Sequence, residues 1–240
     1  MSKGNITWLE VKTYEEMSKM AATIFEKQLR EKPHSVLGLA TGGTPIGFYK
    51  ELVQCYIKGD ISFEEASTFN LDEYVGVGSE EATSYHKYMQ EHLFNHVNIP
   101  RENVYLPDGL ATNLEKECAR YEQQIEQKGG IDLQLLGIGV NGHIGFNEPG
   151  TSFQSRTHVV ELADKTKQDN AKYFPEGNSV PELAITMGIE TIMMAKQIVL
   201  LAFGENKIET LNRIKEQGIS EDFPASCLKK HPHVTIIYGS

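Results

Sequence analysis

The stretch Leu133–Gly150, LQLLGIGVNGHIGFNEPG, places an imidazole, His143, five residues before a carboxylate, Glu148. An imidazole titrates near neutral pH and can move protons there. A carboxylate beside it fixes its tautomer and favours its charged form. The two read as an acid–base pair. A second carboxylate, Asp72, opens Asp72-Glu73-Tyr74 directly after the apolar run Ala66–Leu71. A third segment, Thr41-Gly42-Gly43-Thr44-Pro45, follows the run Ser35–Ala40. Its amides and hydroxyls sit where an anion could be held at a helix N-terminus. Each segment taken alone has a bland reading: turn-making glycines, a solvated loop histidine, acidity at a turn. Together they are three strand ends. In an open parallel sheet, strand ends share the rim where ligands bind.

Neighbouring patterns are weaker. Gly42 and Gly47 have the outer spacing of a Walker A loop, but Phe48-Tyr49 follows instead of Lys and Ser or Thr, so phosphate fits and a nucleoside triphosphate is not indicated. Gly137-Ile138-Gly139-Val140-Asn141-Gly142 matches G-x-G-x-x-G. That fingerprint must open a helix, and Gly145, Pro149 and Gly150 forbid one here, so no dinucleotide is expected. His92 and His96, four apart on a predicted helix, lack an HExxH context; they and His231 and His233 read as structural or solvated. No metal and no cofactor are expected.

These residues need a framework. Apolar runs at Ile6–Val11, Ser35–Ala40, Ala66–Leu71, Val104–Leu106, Leu133–Ile138, Gln197–Phe203 and Val234–Tyr238 read as strands. Between them lie predicted helices. One follows the capping box Thr13-Tyr14-Glu15-Glu16, and one is capped by Thr44 with Pro45 at its first position. Another runs from Ser84 to His96, another follows Thr112-Asn113-Leu114-Glu115, and a last one spans Glu205–Gln217. Ser152–Leu162 reads as partly extended, and Pro181–Ala195 as helical turns interrupted by Gly188. The alternation argues a single-domain, Rossmann-like α/β fold over residues 1–240, with a mostly parallel central sheet and helices on both faces.

Composition limits the function. A net charge of −10 over 240 residues argues against a nucleic-acid footprint. No apolar run approaches a membrane span, and MSKGNITWLE has no signal-peptide core. Cys55, Cys118 and Cys227 are scattered and odd in number, which suits a reducing cytoplasm without disulfides.

At this point the chain resembles a known family. Leu37–Pro45, Asn70–Tyr74 and Gly137–Gly150, with Ser155-Arg156-Thr157 and Ser220–Ser226, are similar in order to the glucosamine-6-phosphate deaminases. GHIGFNEPG is the specific part. The resemblance implies conversion of glucosamine 6-phosphate and water into fructose 6-phosphate and ammonia. It implies His143 as the ring-opening proton shuttle supported by Glu148, and Asp72 as the base moving a proton from C2 to C1. Asn141 stands where many members carry Asp; it can orient but not hold charge, and an orienting role is expected. Thr41, Gly42, Gly43 and Thr44, with Lys172 (in place of a usual Arg) and Lys207, are expected to bind the phosphate. Asp164–Glu182 corresponds to a lid over the carboxyl edge of the sheet. The chain ends soon after its last strand, without the tail that longer members use in hexamer assembly and allostery, so a monomer is expected. Two other readings stay open: a 6-phosphogluconolactonase-like hydrolase, and a non-catalytic sugar-phosphate-sensing domain.

Overall fold

A computed structural model describes residues 5–171, 174 and 179–240. Among the described residues there are ten strands and seven α-helices. The strands are β1 (Asn5–Glu10), β2 (Val36–Leu39), β3 (Ser67–Asn70), β4 (Asp72–Tyr74), β5 (Val104–Tyr105), β6 (Leu133–Leu136), β7 (His158–Glu161), β8 (Leu183–Thr186), β9 (Gln197–Phe203) and β10 (His233–Gly239). The helices are α1 (Tyr14–Glu31), α2 (Ile46–Ile57), α3 (Tyr85–His92), α4 (Leu114–Gln127), α5 (Asp164–Asn170), α6 (Ile189–Met193) and α7 (Glu205–Glu216). None of the described helices is long and apolar enough to cross a membrane.

Seven strands form one sheet in the order β1-β10-β9-β6-β2-β3-β5, and every pair in it is parallel. All residues of β2, β3 and β6 are buried. That is why they show no apolar–polar alternation, with β2 wholly without polar side chains and β3 and β6 burying Ser67, Thr68, Asn70 and Gln134. Right-handed crossovers put α1, α2 and α3 on one face, because the chain then moves toward β5. They put α4 and α7 on the other, because the chain moves back toward β1. The chain departs in opposite directions from the neighbours β2 and β6. Ligands bind at such a switch point, beyond the carboxyl ends of the strands. Those ends deliver Thr41–Thr44 and Gly137–His143.

Local chemistry sets the helix starts. Thr13 accepts from Glu16 N and Ser84 from Lys87 N. Two expected caps shift. The α4 cap is Asn113, which accepts from Lys116 N, and not Thr112. At α2 the cap position is Pro45, without a side-chain bond. There the Tyr14 hydroxyl accepts from Gly47 N at 2.8 Å instead, doing the work expected of Thr44. The helix from Ser84 ends at His92, with a short 3-10 turn at Phe94–His96.

The larger departure is a second sheet, antiparallel, in the order β4-β8-β7. Leu183–Thr186 is therefore a strand, where helical turns were expected. Its residues pair on both sides, with Asp72–Tyr74 and with His158–Glu161. This tertiary pairing overrides a weak local preference. Asp72 does not end β3; it opens β4. The switch occurs at Leu71, whose N–H still bonds Leu39 O at 3.0 Å while its C=O accepts from Met187 N at 2.6 Å. A smaller apolar cluster, with Tyr74, Val77, Phe146, Leu162, Val180 and Ala184, packs around this second sheet.

Candidate active site

A cavity of about 570 Å³ opens at the switch point. Thr41, Gly42, Gly43, Thr44, Asp72, His143 and Lys207 all line it. Three of the expected segments and the expected lysine thus meet at one mouth. Asn141 and Glu148 lie behind His143 and do not line it. Lys172 falls outside the described residues, as does part of the expected lid segment 164–182. A second cavity, of about 580 Å³ and lined by Phe153, Met193, Met194 and Cys227 among others, holds none of these groups.

The Ala40–Thr44 turn is braced by tyrosines. Tyr49 donates to Ala40 O at 2.6 Å, Tyr88 to Gly42 O at 2.6 Å and Tyr14 to Thr44 O at 2.9 Å. A trans peptide points its N–H away from its C=O. Committing these carbonyls to tyrosines therefore turns the N–H groups of Thr41 and Gly43 the other way. Lys207, near the start of α7, donates to Ile138 O at 2.8 Å at the end of the β6 loop. This bond brings a cation to the same rim.

The loop after β6 depends on glycine at two points. A Cβ on Gly139 would lie 2.2 Å from Cε1 of His143, so only glycine lets the imidazole rest on the backbone. Gly142 has φ +89°, where side chains are strained, and a Cβ there would meet Phe223 at 2.1 Å.

Asn141 uses both ends of its amide. Its Oδ1 accepts from His143 N at 3.2 Å, an Asx-type turn. Its Nδ2 donates to Glu148 Oε2 at 2.6 Å. The other oxygen, Glu148 Oε1, accepts from Thr166 Oγ1 at 2.6 Å and stands 3.5 Å from His143 Nδ1. Nδ1 is buried and has no hydrogen-bond partner among the described residues. At 3.5 Å its relation to Glu148 is one of charge more than of a formed bond. Burial pushes the Glu148 carboxyl up, but His143, Thr166 and Asn141 together outweigh it and hold the carboxyl at about 2. Glu148 is ionised at every physiological pH.

Asp72 behaves in the opposite way. It is 6% exposed. Burial first, and Glu73 second, raise its carboxyl from 3.8 to about 8. Glu73 itself is fully engaged. It accepts from the N–H groups of Tyr74, Tyr85 and His86 and from the His86 ring, fixing the N-terminus of α3. Two carboxylates on one site are thus held in different states, a pattern typical of acid–base catalysis.

Sequence reasoning passed over several of the groups around this cavity. Tyr14, Tyr85, Phe146, Thr166, Asn170 and Phe203 line it. Apart from Phe146, which lies within GHIGFNEPG, they are side chains outside the motifs that carry the resemblance; Thr166 and Asn170, four apart, share a helix face. Two histidines away from the cavity bond backbone carbonyls. His231 is buried against Ala195 O, and His96 bonds Glu91 O. Burial raises all three cysteine thiols, with Cys118 at about 11 and Cys227 at about 12, so none offers an activated thiolate.

A family model described as glucosamine-6-phosphate isomerases/6-phosphogluconolactonase matches residues 10–237. A Lysinibacillus sphaericus (strain C3-41) protein named glucosamine-6-phosphate deaminase is 59% identical over 232 residues, covering 97% of this chain and 98% of its own. Glucosamine-6-phosphate deaminase 1 of Bacillus subtilis (strain 168) is 52% identical over 229 residues, 95% of each chain. A solved structure of a monomeric glucosamine-6-phosphate deaminase superposes with a TM-score of 0.95 at 51% identity, covering 97% of both chains. A 6-phosphogluconolactonase from Thermotoga maritima shares the fold, with a TM-score of 0.78 at 22% identity over 98% of this chain and all of its own. With a match from residue 10 to residue 237 and end-to-end relatives above 50% identity, the chain belongs to the glucosamine-6-phosphate isomerase/6-phosphogluconolactonase family.

Proposed function

We propose that this enzyme converts D-glucosamine 6-phosphate and water into D-fructose 6-phosphate and ammonia. The carrying observation is the single cavity shared by Asp72, His143, the Thr41–Thr44 turn and Lys207. The phosphate lies on that turn, with Lys207 and Lys172 supplying positive charge. The sugar enters as a closed ring. His143 takes the proton of the anomeric hydroxyl and returns one to the ring oxygen, so the C1–O5 bond breaks and C1 becomes an aldehyde. Glu148, ionised and held by Asn141, stabilises the imidazolium formed on the way. Asn141 orients both partners.

Asp72 then takes the proton from C2 while O1 gains one from the substrate's own ammonium, giving an enolamine across C1 and C2, and delivers the C2 proton to C1. The product is an imine at C2, which water hydrolyses to the ketone and ammonia. A carboxylate raised to about 8 is a stronger base than an ordinary one and suits a weakly acidic C–H. The steps are redox-neutral and need no cofactor. Residues 164–182 act as a lid that keeps bulk water from the intermediates. The enzyme works as a monomer in the cytoplasm on a free amino-sugar phosphate. Its 51% identity to a monomeric deaminase supports the first point, and its three unpaired cysteines support the second.

The test is ammonia release from glucosamine 6-phosphate, run beside hydrolysis of 6-phosphogluconolactone. Ammonia release without lactone hydrolysis is expected. Lactone hydrolysis without ammonia release overturns the proposal in favour of the other activity in the family's description.

A further inference from the structure

Helix α5 carries two polar side chains, one turn apart, that bond groups of the site. Thr166 Oγ1 donates to Glu148 Oε1 at 2.6 Å, and Asn170 Nδ2 donates to the Tyr74 hydroxyl at 3.0 Å. Both residues line the cavity, so one face of α5 is turned onto the site. Thr166 is 7% exposed. The roles of Asp72, Asn141, His143 and Glu148 leave it unexplained.

The two oxygens of Glu148 differ in their surroundings. Oε2 is held from within its own loop, by Asn141. Oε1, the oxygen that faces His143 Nδ1 at 3.5 Å, is held from outside that loop, by Thr166. A hydroxyl donates a hydrogen bond without bringing a charge. It supports the carboxylate and leaves the negative field for the imidazole, whereas a lysine there would cancel it. Thr166 is also the donor that α5 contributes to this carboxylate. Without α5 in place, Oε1 keeps its charge but loses the bond that aims it.

We infer that Thr166 is a positioning residue through which α5 aims Glu148 Oε1 at His143, so that ring opening is armed only while α5 covers the cavity. The inference rests on the assignment of ring opening to His143. It adds the link between the covering helix and the proton shuttle. A sugar that enters an uncovered site is held by its phosphate but is not opened, and the reactive aldehyde forms only where bulk water is excluded.

The experiment compares two substrates. One is glucosamine 6-phosphate. The other is its 4,5-dideoxy analogue, which has neither O4 nor O5 and cannot close a furanose or a pyranose ring. Ammonia release is measured for the wild type, Thr166→Val, Thr166→Ser and Asn170→Ala. Thr166→Val should lower kcat on glucosamine 6-phosphate by about 10-fold or more, as expected for loss of a buried hydrogen bond to a charged group. Turnover of the 4,5-dideoxy analogue should stay within about 2-fold. Thr166→Ser should restore the wild-type ratio. Asn170→Ala loosens α5 without touching Glu148 directly and should slow glucosamine 6-phosphate more than the analogue, in the same direction as Thr166→Val. If Thr166→Val fails to fold, Thr166→Ala must show the same skewed ratio. Equal slowing of both substrates by the donor-less variants, or no slowing, overturns the inference. A wild type that releases no ammonia from either substrate overturns the proposed function instead.

Discussion

Replacing Asp72 by Asn should stabilise the protein while abolishing exchange of the C2 proton. The buried carboxyl is raised from 3.8 to about 8. Its native pKa therefore lies above its unfolded one, and the native state binds the proton more tightly. Stability from this group is fully present below about pH 4 and is lost as pH rises to about 8. At roughly 1.4 kcal/mol per unit the full loss is about 6 kcal/mol, of which about 4 is gone by pH 7. These are upper bounds, because Asp72 lines a cavity that water enters and water relaxes a buried charge. Asn has nearly the same shape and no proton to lose. Urea denaturation of both proteins at pH 5, 6, 7 and 8 should show the variant gaining on the wild type by about 1.4 kcal/mol per pH unit up to pH 7. Activity must run the other way, since the base works only when ionised. The wild-type kcat/KM should climb with pH, reach half its maximum near pH 8 and level off above it. A stability difference that does not change with pH would refute the reasoning, because it would mean that Asp72 keeps an ordinary pKa despite its burial.

Asn141→Asp sets a second carboxyl against Glu148 Oε2, where an amide now donates at 2.6 Å. The two must share a proton, so the variant should be about 1–3 kcal/mol less stable than wild type at pH 8 and recover toward pH 5; equal stability at both pH values counts against this bond. Gly139→Ala drives a Cβ to 2.2 Å from the His143 ring. Ammonia release should fall by roughly 100-fold with little change in KM, since a displaced catalytic group costs rate more than binding, and a near-normal rate would contradict the assigned ring position. Tyr14→Phe removes the hydroxyl that joins Thr44 O to Gly47 N. KM for the sugar phosphate should rise by about 10-fold with kcat nearly unchanged; an unaltered KM would separate this turn from the phosphate.

Local signals were legible where local forces decide. Gln197–Phe203 is apolar from Ile198 onward, and β9 has those bounds. Thr13 and Ser84 cap helices because a side-chain oxygen satisfies a free N–H within the same turn. The signals failed where a distant residue does the local work. Thr44 is displaced as the α2 cap by a tyrosine hydroxyl from α1. Leu183–Thr186 becomes a strand only because β4 and β7 flank it.

Within the site, the residue types and the loop glycines were readable from the chain itself. Asp72, His143 and Glu148 lie in runs of turn-forming and chemistry-bearing residues that few structural segments need. The chain alone thus determined that an imidazole, two carboxylates, a glycine-rich turn before a helix and a strand–helix alternation were present. The folded arrangement decided the rest: the sheet order that makes β2 and β6 neighbours, the sheet switch at Leu71, the opposite charge states of Asp72 and Glu148, and the reach of Thr166 into the relay. These depend on burial and on distances of a few ångströms between residues far apart in sequence. Hydrogen bonds and charge interactions act over those distances in space, and spacing along the chain does not encode them.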